Sequence, residues 1–234
     1  GLVWKLLCAS LQMQGKDALR ALQKAAQLLS DDAEAQNNYG LALQDLGQHE
    51  SAVASYRRAL SIDPKNAEVH NNLGTALQDS GQLDAAVNSY RFALKLKPDY
   101  AEAYNNLGIA FQELRRHDDA VASYRRALEI NPDYAEAHCN LGVALASLGQ
   151  LDDAIACYRR ALEIKPDYWE ANRDFLAVLL YHPEITAEAL FKTLTSCAAR
   201  SCAPPHEIDR PFSNSREPRK KLRIGYVSSD FRYH

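Results

Sequence analysis

The sequence predicts an all-α chain built as an α-solenoid of repeated helix pairs, followed by a linker and the first strand of a truncated α/β domain. Three observations carry this. A 34-residue pattern recurs four times without a gap. Within each copy the apolar residues fall at helical spacing, as in Ala120, Tyr124, Ala127 and Leu128, which form one stripe along a helix. After Arg200 the texture changes to Pro, Ser, Arg and Asn, then to a short β-type run.

The repeat is aligned on Ala33, Ala67, Ala101 and Ala135. Gly stands at the eighth place (Gly40, Gly74, Gly108, Gly142) and Ala at the twentieth (Ala52, Ala86, Ala120, Ala154). Tyr stands at the twenty-fourth (Tyr56, Tyr90, Tyr124, Tyr158) and Ala at the twenty-seventh (Ala59, Ala93, Ala127, Ala161). Pro64, Pro98, Pro132 and Pro166 close the units, since proline cannot continue a helix interior. Each unit therefore reads as two antiparallel helices. Small residues such as Gly108 and Ala120 let them approach, and Tyr124 fills the space between repeats. Gly47, Gly81 and Gly149 mark the inter-helix turn, where Arg115 stands in the third unit at some conformational cost. Asp99 and Asp133, each with Glu three residues on, are expected as N-caps. One such unit cannot bury its apolar face alone, whereas a stack can.

These markers resemble the tetratricopeptide repeat (TPR), which implies a right-handed TPR superhelix. Residues 33–168 form four full repeats and residues 1–32 a degenerate first one, with Ala18, Leu22 and Ala25 on its second helix. Residues 169–200 read as transition helices, 201–219 as a linker and 220–234 as the start of a truncated catalytic domain.

In a TPR stack the first helices line a groove. Asn occupies the sixth place of every full unit: Asn38, Asn72, Asn106 and Asn140. Neighbouring helices lie about 8–10 Å apart, and an extended peptide rises about 3.3 Å per residue. Such amides would meet a peptide backbone about every third residue, and each can donate and accept. The four asparagines are therefore candidate substrate-peptide-binding residues for extended polypeptide; the alternative is that they bond neighbouring groups of the fold. Asp45, Asp79, Glu113 and Ser147 lie seven residues further along the same face, and Glu34, Glu68, Glu102 and Glu136 lie at the helix starts. The groove should be neutral to acidic, which argues against the Lys/Arg clamp that takes acidic tails. The glutamates read first as helix-dipole partners.

Other side chains have plainer readings. Arg57-Arg58, Arg125-Arg126 and Arg159-Arg160 are expected on a solvated face, with Arg125 near Glu129 at i,i+4. Cys139 and Cys157 read as packing or half-exposed thiols, and His49 and His117 as packing near the turn. Five cysteines with no CxxC pair indicate neither a disulfide framework nor a zinc site, and no metal or cofactor site is predicted in this chain. Net charge is −3, without the basic excess of a nucleic-acid binder. The longest apolar run, Phe175–Tyr181, is too short to span a membrane. No charged-then-apolar leader is visible, and the cysteine usage fits a reducing setting, so the expectation is a cytoplasmic protein. The charge is unevenly divided. Residues 201–234 carry seven Lys+Arg against four Asp+Glu, and the preceding part 20 against 26.

The C-terminal motifs resemble a more specific family. Phe175-Leu176-Ala177-Val178-Leu179-Leu180-Tyr181-His182-Pro183, then Ala187-Glu188-Ala189-Leu190-Phe191, then Leu222–Phe231 (LRIGYVSSDF) following the repeats are similar to the protein O-linked N-acetylglucosamine transferase / SPINDLY family. The resemblance implies that a two-lobed GT-B-like domain follows, and that the parent enzyme transfers GlcNAc from UDP-GlcNAc to Ser/Thr of proteins, GDP-fucose being the other donor in the family. It implies an active-site role for His234, although Arg232-Tyr233 stand where the family often has Gly-Asn. It also implies peptide holding by the asparagines. The chain itself lacks a complete catalytic constellation, so no sugar transfer is expected from it alone. The competing expectation is a stand-alone TPR interaction scaffold; homodimerisation is compatible with either.

Overall fold

The computed structural model describes residues 19–183, with Ile185, Thr186, Glu188 and Thr195 beyond them. Among the described residues there are ten helices and no strand. In order they are α1 (Leu19–Leu28), α2 (Ala33–Asp45), α3 (His49–Ile62), α4 (Ala67–Asp79), α5 (Leu83–Leu96), α6 (Ala101–Glu113), α7 (His117–Ile130), α8 (Ala135–Ser147), α9 (Leu151–Ile164) and α10 (Trp169–Tyr181). The expected linker 201–219, the expected strand in 220–234, and His234 lie outside the described residues.

Each 34-residue unit is a helix pair: α2/α3, α4/α5, α6/α7 and α8/α9. Every helix packs on the next in sequence. Consecutive first helices (α2, α4, α6, α8, α10) also touch, whereas second helices of neighbouring units make at most marginal contact. The first helices therefore lie side by side as one continuous face.

The glycine at the eighth place and the tyrosine at the twenty-fourth explain the close pairing. A Cβ on Gly108 would lie 2.5 Å from Tyr124 Cε1, and one on Gly40 2.6 Å from Tyr56 Cε1. All four tyrosines are essentially inaccessible to solvent. Burying a ring of this size is worth about 2–3 kcal/mol. Tyr124 thus packs into the gap between the two helices of its own unit. The ring sits there because the glycine opposite it belongs to the same unit.

The turns follow their residue types. Gly47, Gly81 and Gly149 adopt φ of 70–75° and Arg115 φ of 58°. In each turn the next residue donates its N–H back to the helix, as Gln48 does to Leu43 O at 2.9 Å and Arg116 to Phe111 O at 2.8 Å, closing the first helix with a Schellman bond.

The caps differ from expectation. Asp32 and Asn66 cap α2 and α4, accepting from the N–H of Ala35 and Val69 at 3.1 Å. At α6 and α8 the N-cap position falls on Tyr100 and Tyr134, without a side-chain cap bond, so Asp99 and Asp133 are not the caps. The tyrosine occupies the one position from which a carboxylate would reach the third N–H. Lys97 Nζ lies 4.7 Å above the Tyr100 ring instead.

Candidate functional site

The face made by the first helices carries two lines of polar side chains that cross from unit to unit. The first is a double line of amides. Asn37, Asn71 and Asn105, at the fifth place, are buried; Asn38, Asn72, Asn106 and Asn140, at the sixth, are half-buried. Asn72 Nδ2 donates to Asn37 Oδ1 at 3.1 Å, Asn106 Nδ2 to Asn71 Oδ1 at 3.1 Å, and Asn140 Nδ2 to Asn105 Oδ1 at 3.0 Å. Asn72, Asn106 and Asn140 thus each spend one N–H on the unit before. The sequence reading left open whether these amides serve the fold or a ligand, and the structure gives them a place in the fold. It also leaves groups over. The Oδ1 atoms of Asn72 and Asn140 accept no bond among the described residues, and the second N–H of each Nδ2 remains.

The second line lies two helical turns further along. Gln44 Nε2 donates to Asp79 Oδ2 at 3.2 Å, and Gln78 Nε2 donates to Glu113 Oε1 at 2.5 Å. Behind them the tyrosines orient the glutamines. Tyr56 Oη donates to Gln44 Oε1 at 3.0 Å, Tyr90 Oη to Gln78 Oε1 at 2.9 Å, and Tyr124 Oη to Gln112 Oε1 at 3.1 Å. Burial is the main cause that pushes these phenols far above their ordinary 10.0, with nearby carboxylates such as Asp45, Asp79 and Glu113 adding to it. They therefore stay neutral donors at any physiological pH.

Between the two lines run the half-exposed side chains of Leu41, Thr75, Ile109 and Val143. The face can thus offer peptide-type hydrogen bonds along its middle, apolar contact beside them, and carboxylates at either margin. The helix-start glutamates lie in the first turns of α2, α4, α6 and α8, where the dipole favours them.

The sequence reading singled out the sixth-place asparagines and missed the fifth-place asparagines and twelfth-place glutamines. The signal was available, since both recur at 34-residue spacing up to the fourth unit. There Cys139 replaces the asparagine, and Ala146 and Ser147 replace the Gln-acid pair. In α10, Asp174 stands where the next asparagine would be and pairs with Arg173 at 2.7 Å. Both lines stop at this unit.

Cys139 is buried and Cys157 half-buried. Burial pushes both thiols up to about 11, with Asp174 and Asp153 adding to it respectively. His49 and His117 are half-buried beside the turns, and His49 Nδ1 lies 3.5 Å from Asp79 Oδ2. The paired arginines are exposed. Arg126 pairs with Glu129 and Arg160 with Glu163 at i,i+3, in place of the i,i+4 contact expected of Arg125. Among the described residues, no cluster of His, Cys, Asp and Glu is placed to hold a metal, and no helix is long and apolar enough to cross a membrane.

Paired helices stacked through a Gly-Tyr contact, with first helices side by side, define a helical-repeat solenoid, a class that presents extended binding surfaces. More narrowly, these are tetratricopeptide repeats. A family model described as tetratricopeptide repeat matches residues 71–135 and 107–168, and one described as TPR repeat matches residues 45–81. Among solved structures, MamA is 26% identical with a TM-score of 0.63, covering 68% of this chain and 94% of its own. YrrB, described as a TPR protein with an unusual peptide-binding site, is 24% identical with a TM-score of 0.60, covering 80% and 94%. PilF of Pseudomonas aeruginosa is 18% identical with a TM-score of 0.69, covering 85% and 87%. The last two likenesses are of fold alone. No curated protein matches the sequence significantly.

Proposed function

We propose that this chain is a protein-interaction scaffold that holds an extended polypeptide by its backbone along the first-helix face. The observation that carries the reading is the amide line of Asn38, Asn72, Asn106 and Asn140. Asn72, Asn106 and Asn140 each keep hydrogen-bonding capacity after their bond within the fold, and the four stand at a spacing that suits every third peptide residue. A backbone reader tolerates many sequences, because the peptide group is the same in all of them. The direct test is therefore on the ligand. A polypeptide that binds should lose affinity about tenfold or more when every third backbone nitrogen is methylated, while side-chain exchanges at those positions matter less. Equal binding of the methylated and parent peptides would overturn the reading.

A second reading is favoured by one observation, the Leu222–Phe231 block preceded by the Phe175–Pro183 and Ala187–Phe191 stretches. In it the scaffold is the substrate-holding part of a protein O-glycosyltransferase that uses UDP-GlcNAc, or less favoured GDP-fucose, and His234 contributes to the active site. The family models that match, over residues 45–168, describe the repeats, so the scaffold stands first. Translating the reading frame downstream of His234 decides the matter. A two-lobed α/β domain there supports the transferase, and its absence removes it.

A further inference from the structure

The second helices turn one side outward. Their twenty-second, twenty-fifth, twenty-sixth and twenty-ninth places fall together, opposite the buried stripe that Ala52, Tyr56 and Ala59 form in α3. The residues at these places are exposed in every unit. In α7 and α9 this side neutralises part of its own charge. Arg126 pairs with Glu129, and Arg160 with Glu163 at 3.1 Å and Asp133 at 2.8 Å.

In α3 and α5 it does not, because Ser61 and Lys95 stand in the place of Glu129 and Glu163. α1 keeps the same register, with Leu22 and Ala25 buried at the Tyr and Ala places, and it contains no Asp or Glu. The outward sides of α1, α3 and α5 thus carry Arg20, Lys24, Arg57, Arg58, Arg91 and Lys95 and no carboxylate. Among the described residues none of these cations pairs with an acid. Arg20 with Lys24 and Arg91 with Lys95 are like charges at i,i+4, an arrangement that weakens a helix. Folding does not account for the patch.

An aromatic ring sits inside it. Phe92 takes the place that Arg58, Arg126 and Arg160 take in the other units, and it is 56% exposed. The ring is fixed by stacking on His70 at 5.6 Å, and His70 Nε2 lies 3.0 Å from Pro64 O. Arg91 is fixed too, 5.7 Å over the Phe111 ring of α6.

Guanidinium groups take carboxylates in bidentate pairs, and an exposed ring takes an apolar side chain. The patch is also bounded by acids. Glu50 and Asp84 lie in the first turns of α3 and α5, and Glu129 and Glu163 on the units beyond. A continuous polyphosphate would run onto these carboxylates, whereas a peptide can place its acids over the cations alone. We infer that the outer surface of α1, α3 and α5 docks an acidic polypeptide segment with an apolar residue among its Asp and Glu, the carboxylates lying on the six cations and the apolar residue on Phe92. This surface is distinct from the first-helix face, so it stands or falls independently of the backbone-holding reading.

The test uses the full chain and two labelled synthetic peptides of equal length, one of Glu with a single central Phe and one with Gln in place of each Glu. A single-stranded RNA of equal charge is the third probe. Wild type should bind the Glu peptide about tenfold tighter than the Gln peptide in fluorescence anisotropy at low salt, with the preference lost near 1 M salt, where the screening length is about 3 Å. Ser61→Glu with Lys95→Glu gives α3 and α5 the residue that α7 and α9 already carry. This variant should match wild type in helix content and melting temperature and lose the preference for the Glu peptide. Phe92→Ser should weaken the Glu peptide about fivefold and leave its salt dependence in place. The inference is overturned by equal wild-type affinity for the two peptides, by a preference that survives in the double variant, by an affinity untouched in Phe92→Ser, or by RNA bound as tightly as the Glu peptide.

Discussion

Replacing Gly108 by alanine tests the contact on which each unit is built. The new Cβ would stand 2.5 Å from Tyr124 Cε1, 2.7 Å from Cδ1 and 2.8 Å from Cζ, against the 3.5–4.0 Å that non-bonded carbons prefer. The ring would have to retreat by about 1 Å. It has no empty side to move into, being fully enclosed, and its hydroxyl is tied to Gln112 at 3.1 Å. Overpacking of this kind costs about 1–3 kcal/mol, and loosening the hydroxyl bond adds about 1 kcal/mol. Against this, alanine in a helix interior is favoured over glycine by about 1 kcal/mol. The sum is a destabilisation of about 2 kcal/mol, or about 4–8 °C in melting temperature for a chain of this size. Urea and thermal unfolding followed by far-UV circular dichroism read it directly. Adding Tyr124→Leu should make the two changes strongly non-additive, because the second removes what the first strikes. A Gly108→Ala chain as stable as wild type, or more stable, would refute the reasoning.

Three further outcomes follow from named residues. Arg115→Gly should stabilise by about 0.5–1 kcal/mol, since a left-handed backbone costs a side-chain-bearing residue about 1–2 kcal/mol and glycine returns part of that as unfolded-state entropy; a lowered melting point counts against it. The buried phenols of Tyr56, Tyr90, Tyr124 and Tyr158 are held above 10.0 mainly by burial. Their contribution to stability is full below pH 10 and falls as pH rises above it, because only the unfolded chain then loses protons readily. Tyrosinate absorbance at 295 nm should accordingly appear together with loss of helix, and ionisation of these rings in an intact stack would contradict it. Cys139 and Cys157, pushed up to about 11 by burial, should react with a thiol reagent at pH 8 far more slowly than a free thiol does. Fast labelling of the folded chain would be the contrary result.

Much of this molecule is legible in the repeat. The 34-residue period, the Gly-Tyr pair and the turn glycines specify helix pairs that must stack, because the apolar stripe of one unit has no partner without the next. The left-handed Arg115 is equally legible, since it occupies a position where three other units place Gly. The caps were read less well. Asp99 and Asp133 have the right chemistry, but the helix begins two residues after each, and only backbone placement shows which residue stands at the entry.

The face itself divides along the same line. Its residues were determined by the sequence alone: the asparagines, the absence of Lys and Arg from the first helices, and the acids at their ends. What those side chains do to one another was decided by tertiary structure. The partners of Asn72 and Gln44 lie 35 residues away in the chain, and a hydrogen bond depends on a distance and an angle that no local pattern records. Only the stacking of units shows that Asn72, Asn106 and Asn140 each give one donor to the fold while capacity remains, and that Gln44 and Gln78 hold Asp79 and Glu113 in place.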